Sequence, residues 1–592
     1  MFTKLTEQQL DNKIKYIHQY IDAENAATGS KFNSNSNVTM KNVTTLQGSL
    51  YEDFGIQLHR KTTYDKIEEM FGKDLAEQYI KDLEEHSIYV HDETNPVFGY
   101  CASISIFPMV TEGLKSLGGM SNAPRNIFSF IDQLCSTIYL VSAQIAGAVG
   151  VPEALVYADY YFRKSFGEDY HENNLTKQLL QGLIYKLNEP SGARSYQSPF
   201  TNFLIYDQYY FEAVFGQMVY PDFTQPVWDS INKLQKLFVE TLDKERDNGI
   251  ITFPVVTFSM LTENGSPKDK EYHEYAAQQL HKGNSFFIYL SDNPDSISSC
   301  CRLANKTNFK EFANSSGVGG VKVGSVGVIT IDFNRLYQTM NEQEIKEQIK
   351  RVHKYLAARR AFIAELDDKG MIPIYKAGYI EIDKLYSTVG LGGLVEAAEY
   401  HGYTPVHRDE DYMNFMENVL VMVEELNSKA QQQFGFKINA EQAPLESAGY
   451  KLAQWAKEDG LKVNRDVYTS YMYVPSDNTN FMDKLIAHGK RLTRKTSGGS
   501  AAHINLEDLL TEQQYYAIIE ASAQLGVPYF CFNTKMTICN DCENIERTTE
   551  RYCKKCGSSD VSGATRVVGY LKRVDNFSAA RQQEESTRYY AK

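Results

Sequence analysis

Apolar residues at the start of the chain recur at helical spacing. Leu10, Ile14, Ile17 and Ile21 share one face of a segment that opens with Thr6 and Gln9, a pair able to form a capping box, so a helix is predicted over 6–23. A polar, turn-rich stretch, KFNSNSNV (31–38), comes next. From about 44 to 250 the pattern predicts long helices, among them 64–85, 124–148, 152–166 and 226–248, with strand-like pieces such as 101–108 between them. The period then changes. ITFPVVTF (251–258), FFIYL (286–290) and VGVITIDF (326–333) read as short buried strands and alternate with helices such as 342–366. Such alternation predicts an α/β protein with a mainly parallel sheet that can close as a barrel.

Two loops interrupt this pattern, SDNPDSISSCCRLAN (291–305) and ANSSGVGGVKVGS (313–325), and a third, RKTSGGSAAH (494–503), follows a basic stretch. Their Ser, Asn and Gly content makes the backbone permissive, and loops carried on a rigid sheet are common places for function. At 592 residues, length alone would suggest about four domains of roughly 150 residues, although a barrel absorbs more chain in one unit. Hydrophobic residues make up 42% and charged residues 23%, an ordinary globular balance. A net charge of -14 argues against a broad grip on nucleic acid but leaves room for binding single nucleotides. The first residues are charged and carry no apolar signal core, and no stretch reaches the roughly 20 apolar residues of a membrane span. A cytoplasmic protein that touches neither membrane nor nucleic acid is expected.

Cysteine is where the chemistry begins. Nine is an odd count, and four of them form Cys539-x2-Cys542 and Cys553-x2-Cys556, with Gly557 after the last. Two such knuckles can set four thiolates at the corners of a tetrahedron, which suits a structural zinc ion; an iron centre would use the same ligands. Ribbons of this kind often bind nucleic acid, but the acidic balance argues against that here.

Ten residues after the last of these cysteines comes Arg566-Val567-Val568-Gly569-Tyr570-Leu571. A Cα radical on glycine is stabilised by its amide nitrogen and carbonyl together, and the absence of a Cβ lets the centre flatten. Read alone, Gly569 could equally be a turn residue. A four-cysteine ribbon running into RVxGY, however, resembles the anaerobic (class III) ribonucleotide reductases, a glycyl-radical family. The likeness extends from about 30 to 572. It runs through HSIYVHD (86–92), FGYCASI (98–104), QIAGAVGVP (144–152), GSVGVITIDFNRL (324–336), YSTVGLGGLVEA (386–397), QAPLESAGY (442–450) and TSGGSAAHINL (496–506).

The resemblance implies a ten-stranded α/β barrel of two five-stranded parallel halves set antiparallel, with a C-terminal zinc ribbon and a glycyl-radical loop. It divides the chain into an N-terminal helix (1–30, with no ATP-cone and so no activity switch by dATP), the barrel (31–535), the ribbon (536–560) and the radical loop with its tail (561–592). It also implies a relay. The Gly569 radical takes a hydrogen atom from a cysteine, whose thiyl radical removes the 3′-hydrogen of the ribonucleotide. Cys301, followed by Arg302, is the first candidate for that cysteine and Cys300 the alternative. Cys101 matches the cysteine of the reducing step, although an apolar strand is also where a small core residue would sit. Cys135 and Cys531 read as core residues. Glu446 is a candidate general acid/base, with a helix-start carboxylate as the bland reading. Asp332 stands where the family usually has Asn, so it is either a ribose contact or a solvated strand-end acid. Ser497, Gly498 and Gly499 would offer backbone donors to phosphates.

The implied cofactors are Zn2+ and the glycyl radical, installed by a separate activating protein with a [4Fe–4S] cluster and S-adenosylmethionine. The implied partners are the ribonucleotide substrate, a nucleotide specificity effector at a homodimer interface, and a reductant. Ser299 replaces the Met found two residues before the thiyl cysteine in formate-using members, which favours a thiol redoxin over formate. Two rival readings are a pyruvate formate-lyase-like enzyme, which would lack the ribbon, and a zinc-ribbon binding protein that would tolerate loss of Gly569.

Overall fold

The computed structural model describes residues 6–30, 37–38, 40–294, 296–298, 304–306, 321–567 and 569–591. Ten strands form one continuous path. They are β1 (Cys101–Ser103), β2 (Val149–Gly150), β3 (Thr201–Tyr206), β4 (Val255–Glu263), β5 (Phe287–Ser291), β6 (Val323–Asp332), β7 (Tyr386–Gly392), β8 (Ile438–Glu441), β9 (Ala502–Leu506) and β10 (Tyr529–Thr534). The order is β8-β7-β6-β1-β2-β3-β4-β5-β10-β9. β1 to β5 are parallel to one another, as are β6 to β8 and the pair β9 and β10. The two seams, β6 with β1 and β10 with β5, are antiparallel. A parallel bridge from Glu441 to Gly499, just before β9, joins the two ends of the path. The sheet therefore closes into a ten-stranded barrel of two five-stranded halves.

Helices cross over between the parallel strands, as parallel pairing requires. Among them are Ile127–Ser142, Ala154–Phe166, Trp228–Glu245, Glu342–Asp368, Glu410–Phe434 and Glu512–Leu525. Alternate strand residues divide the two environments. Phe203 and Ile205 on β3, Ile329 and Ile331 on β6, and Val389 and Leu391 on β7 join buried apolar clusters. Their neighbours Asn202, Thr330 and Thr388 lie on the opposite face of the same strands, where the barrel interior is polar. Eight strands give an interior that side chains just fill, so ten leave room for chain and ligand inside.

The N-terminal helix runs Glu7–Asp22 with the Thr6–Gln9 capping box formed. Some expectations shift. The helix foreseen over 64–85 is two, Glu52–Phe71 and Lys73–Glu84, because Gly72 takes φ +93° and ends the first. The strand foreseen over 101–108 stops at Ser103, and a helical turn, Phe107–Glu112, begins around Pro108. The loop foreseen over 313–325 ends earlier, because β6 starts at Val323. No helix among the described residues is long and apolar enough to cross a membrane.

Candidate active site and metal centre

After β10 the chain builds a four-stranded antiparallel sheet from β11 (Met536–Cys539), β12 (Ile545–Glu546), β13 (Val561–Arg566) and β14 (Leu571–Arg573), in the order β12-β11-β13-β14. The sulfur atoms of Cys539, Cys542, Cys553 and Cys556 all lie within 4.8 Å of one another. Cys539 Sγ is 3.5 Å from Cys556 Sγ, and Cys542 Sγ is 3.6 Å from Cys553 Sγ. A tetrahedron with metal–sulfur bonds of about 2.3 Å has edges of about 3.8 Å, so the four thiols fit a metal ion of zinc's size. Each knuckle is closed by its backbone: the Glu543 N–H donates to Cys539 O (3.0 Å) and the Gly557 N–H to Cys553 O (2.9 Å).

β13 carries this sheet directly to Gly569. Arg566 and Leu571 pair across β13 and β14, so Gly569 sits in the tip of a tight hairpin, where the Val567 N–H donates to Tyr570 O. Barrel residues hold that tip. Asn533 Oδ1 accepts from the Arg566 N–H (3.1 Å) and the Thr565 hydroxyl (2.8 Å). The Arg566 guanidinium lies 4.5 Å over the Phe287 ring and donates to Ser285 Oγ (3.0 Å) and to the Gly569 carbonyl (2.8 Å). The Tyr570 ring packs against Phe200 and Phe253, with centroids 5.4 and 5.8 Å away.

Three of the residues singled out from sequence converge here. The Tyr570 hydroxyl donates to both oxygens of Glu446, each at 3.2 Å. Phe200, against Tyr570, also packs beside Cys101, Ala148 and Tyr100. Phe200 thus links Cys101 to the hairpin that carries Gly569 and meets Glu446. Gly147 lies so close to the Tyr100 carbonyl and the Cys101 side chain that a Cβ there would be 2.9 Å from Tyr100 O and 3.3 Å from Cys101 Cβ. Across the antiparallel seam from Cys101 stands Ser325, whose hydroxyl is 2.8 Å from that of Thr388. Sequence reading missed Ser325, because only strand register brings it to the cysteine.

HSIYVHD also contributes two residues that were not singled out. His91 Nε2 is 2.8 Å from Thr330 Oγ1, and burial, helped by the charge of Lys451, holds its pKa down at about 4. Burial pushes the Asp92 carboxyl up to about 6, with Arg194 opposing the shift and Glu446 adding to it. Arg194 donates to the carbonyls of Ser142, Ile145 and Ala146. Asp92 and Arg194, with Tyr20, Ser49, Asn95 and Ala146, line a cavity of about 280 Å³ between the N-terminal helices and the barrel.

Other candidates fall differently. Asp332 is fully buried, which removes the solvated reading; it caps the helix Phe333–Thr339 by accepting from the Arg335 N–H at 3.2 Å. Burial pushes its pKa up to about 7 against the pull of Arg335, and its second oxygen has no hydrogen-bond partner. The donors foreseen in the Gly-rich turn are already in use. Ser497 N–H and Oγ both donate to Glu424, Gly498 N–H donates to Ala440 O (2.7 Å) and Gly499 N–H to Thr496 O (2.9 Å). They tie the turn to β8 and to the helix Glu410–Phe434 at the barrel's closure, and a Cβ on Gly498 would come within 2.9 Å of Ala440 O. Cys135 is a core residue of the helix Ile127–Ser142, its thiol pushed up to about 12 by burial. Cys531 is buried on β10, on the same face as Asn533. Cys300, Cys301, Ser299 and Arg302 lie outside the described residues.

The sequence profile of the anaerobic ribonucleoside-triphosphate reductase family matches residues 51–590. Solved structures agree. An anaerobic ribonucleotide reductase is 27% identical, with a TM-score of 0.85 over 98% of this chain and 93% of its own. The anaerobic ribonucleotide reductase of Thermotoga maritima, solved in complex with dATP and CTP, is 27% identical, with a TM-score of 0.82 over 99% of this chain and 100% of its own. The same reductase with dATP bound in the specificity site is 26% identical, with a TM-score of 0.81 over 97% and 99% of the two chains. A comparison with curated proteins found no match. The chain belongs to the anaerobic ribonucleoside-triphosphate reductase family, oxidoreductases that reduce ribonucleotides for deoxyribonucleotide synthesis.

Proposed function

We propose that this chain reduces ribonucleotides by a glycyl/thiyl radical relay inside the barrel, with Gly569 as the stored radical, Cys301 (alternatively Cys300) as the thiyl site, Cys101 as the reducing thiol and Glu446 as the acid/base. The observation that carries this reading is the hairpin that brings Gly569 into the barrel beside Glu446 and the Phe200–Cys101 cluster. A cysteine suits the middle step because its S–H bond strength is close to those of the C–H bonds on either side. Removal of the 3′-hydrogen lets the 2′-hydroxyl leave as water. The reductant, a thiol redoxin or formate, then supplies the two electrons and two protons of the reduction, with Cys101 acting in that step, and the 3′-hydrogen is returned. Glu446 is suited to exchange a proton with the ribose, its carboxylate oriented by the Tyr570 hydroxyl. The charge of Glu446 is felt at Asp92 on the wall of the cavity it shares with Arg194, which makes that cavity a candidate for part of the nucleotide.

The four cysteines would hold a structural zinc ion, which supplies no redox chemistry and stiffens the sheet that carries Gly569. The radical would be installed by a separate activating protein that uses a [4Fe–4S] cluster and S-adenosylmethionine. A thiol redoxin, favoured by Ser299, would supply the electrons, with formate as the other reductant. The Thermotoga maritima reductase carries dATP in a specificity site, which supports a nucleotide effector for this chain, at a homodimer interface. The N-terminal helix, barrel, ribbon and radical loop are the working divisions.

The test is anaerobic activation followed by electron paramagnetic resonance (EPR) on wild type and Gly569→Ala. A carbon-radical doublet coupled to one α-hydrogen is expected in wild type alone. Its absence with a competent activating partner would remove the radical reading.

A further inference from the structure

We infer that the C-terminal helix Ala579–Thr587 and the residue that caps it form a two-armed clasp, in which Arg588 and Arg581 position the glycine hairpin and the Glu446 loop against each other. Arg588 Nη1 donates to Arg566 O (2.7 Å) and its Nη2 to Val567 O (2.8 Å), both on the arm of the hairpin that rises to Gly569. Arg581 Nε donates to Glu446 O (2.9 Å), and its Nη2 bonds the adjacent Leu445 carbonyl. Between them Glu584 accepts from Arg588 Nε (2.9 Å) and Nη2 (2.8 Å) and from Arg581 Nη1 (3.1 Å).

The spacing explains how one short helix reaches both loops. Residues 581, 584 and 588 fall at i, i+3 and i+7, on a single face. Arg581 and Arg588 are only 4% and 8% exposed, and buried charge is costly unless it is paired and hydrogen-bonded. Burial alone would raise the Glu584 pKa, but Arg588 and Arg581 outweigh it and hold the carboxylate below its usual range. The remaining positive charge is met by four backbone carbonyls, two on each loop. A grip on carbonyls fixes where the main chain lies and makes no use of the side chains of the gripped loops.

Both ends of the clasp are tied down. The Asn25 side chain donates to Asp575 O (2.6 Å) and Phe577 O (3.1 Å) ahead of the helix. Beyond it, the Ala591 N–H donates to Asn505 O and the Glu507 N–H to Ala591 O, stitching the tail to β9. The Tyr570–Glu446 contact therefore spans two loops that share one anchor. Since a misplacement of 1 Å can cost about 10²-fold in rate, such an anchor matters for a relay that depends on close approach.

The inference rests on Gly569 carrying the radical, so its test separates the two. Full-length wild type, Arg588→Gln and Arg588→Lys are activated anaerobically, and turnover is expressed per EPR-counted radical. Hydrogen exchange of the amides at 566–571 and 445–446 is followed in parallel. For Arg588→Gln the clasp predicts a fall in kcat per radical of about tenfold or more, KM within about twofold, and faster exchange in both loops. Arg588→Lys, able to keep one carbonyl bond, should recover part of each effect and decides the matter if the Gln variant does not fold. Wild-type kcat per radical in Arg588→Gln, or faster exchange at 566–571 with none at 445–446, overturns the clasp. A wild type without signal overturns the radical reading, while the exchange measurement still judges the clasp.

Discussion

The Tyr570 hydroxyl donates to both carboxylate oxygens of Glu446 at 3.2 Å, across 124 residues of sequence. One partner follows Gly569, the proposed radical site, and the other is the candidate acid/base. The state of the hairpin is therefore felt at the carboxylate that would meet the ribose.

Glu446→Gln should lower kcat by roughly 10²–10⁴-fold, the usual worth of a general acid/base, and leave the glycyl radical content unchanged. Tyr570→Phe removes a hydrogen bond to a charged acceptor, an interaction of about 1.5–3 kcal/mol, so a smaller loss of roughly ten- to a hundredfold is expected. Steady-state kinetics normalised to EPR spin count measures both. Unchanged kcat in Glu446→Gln would remove the acid/base assignment.

Among the cysteines, Cys301→Ser and Cys101→Ser should each abolish turnover with the Gly569 signal retained, whereas Cys300→Ser should stay active. The radical is stored upstream of all three, so spin count and product formation come apart. If Cys300→Ser is the inactive variant of the pair, the thiyl assignment moves to Cys300.

Metal analysis of the purified protein should give one zinc per chain, lost in Cys542→Ser. Because β13 runs from the ribbon to Gly569, the metal-free protein should also form less radical on activation. Full radical yield without metal would separate the ribbon from the hairpin.

Asp332 makes a pH-dependent prediction. Its folded pKa of about 7 lies above the ordinary 3.8, so the fold favours the protonated acid. Stability from this group is fully present below about pH 4 and is lost as pH rises to about 7. Asp332→Asn keeps an acceptor for the Arg335 N–H and cannot ionise. It should therefore stabilise the protein at pH 8 by up to about 4 kcal/mol, with the gain fading toward pH 4. Turnover should persist, because the side chain caps a helix. Thermal melts at the two pH values, with an activity assay, check both statements; a melting temperature raised equally at pH 4 and pH 8 would count against the titration.

Much of this protein is legible in its sequence because the relevant signals are local. The capping box at Thr6, the two cysteine knuckles and the run from ribbon to RVVGY are set by neighbours a few residues apart, and each appears in the structure at its expected place. The alternation of buried strands with amphipathic helices announced a mainly parallel α/β sheet for the same reason: periodicity is written along the chain. Tertiary structure decided what depends on register and on contacts distant in sequence. Ser325 faces Cys101 only because β6 and β1 pair in one register. The Gly-rich turn at 497–499 spends its donors on β8 and Glu424 because barrel closure brings them together. Asp332 reads in the sequence as either a ribose contact or a solvated strand-end acid; burial removes the second, and the Arg335 N–H makes it a helix cap. Arg581 and Arg588 carry no motif, since a bond to a backbone carbonyl leaves no mark on the sequence of the loop that accepts it.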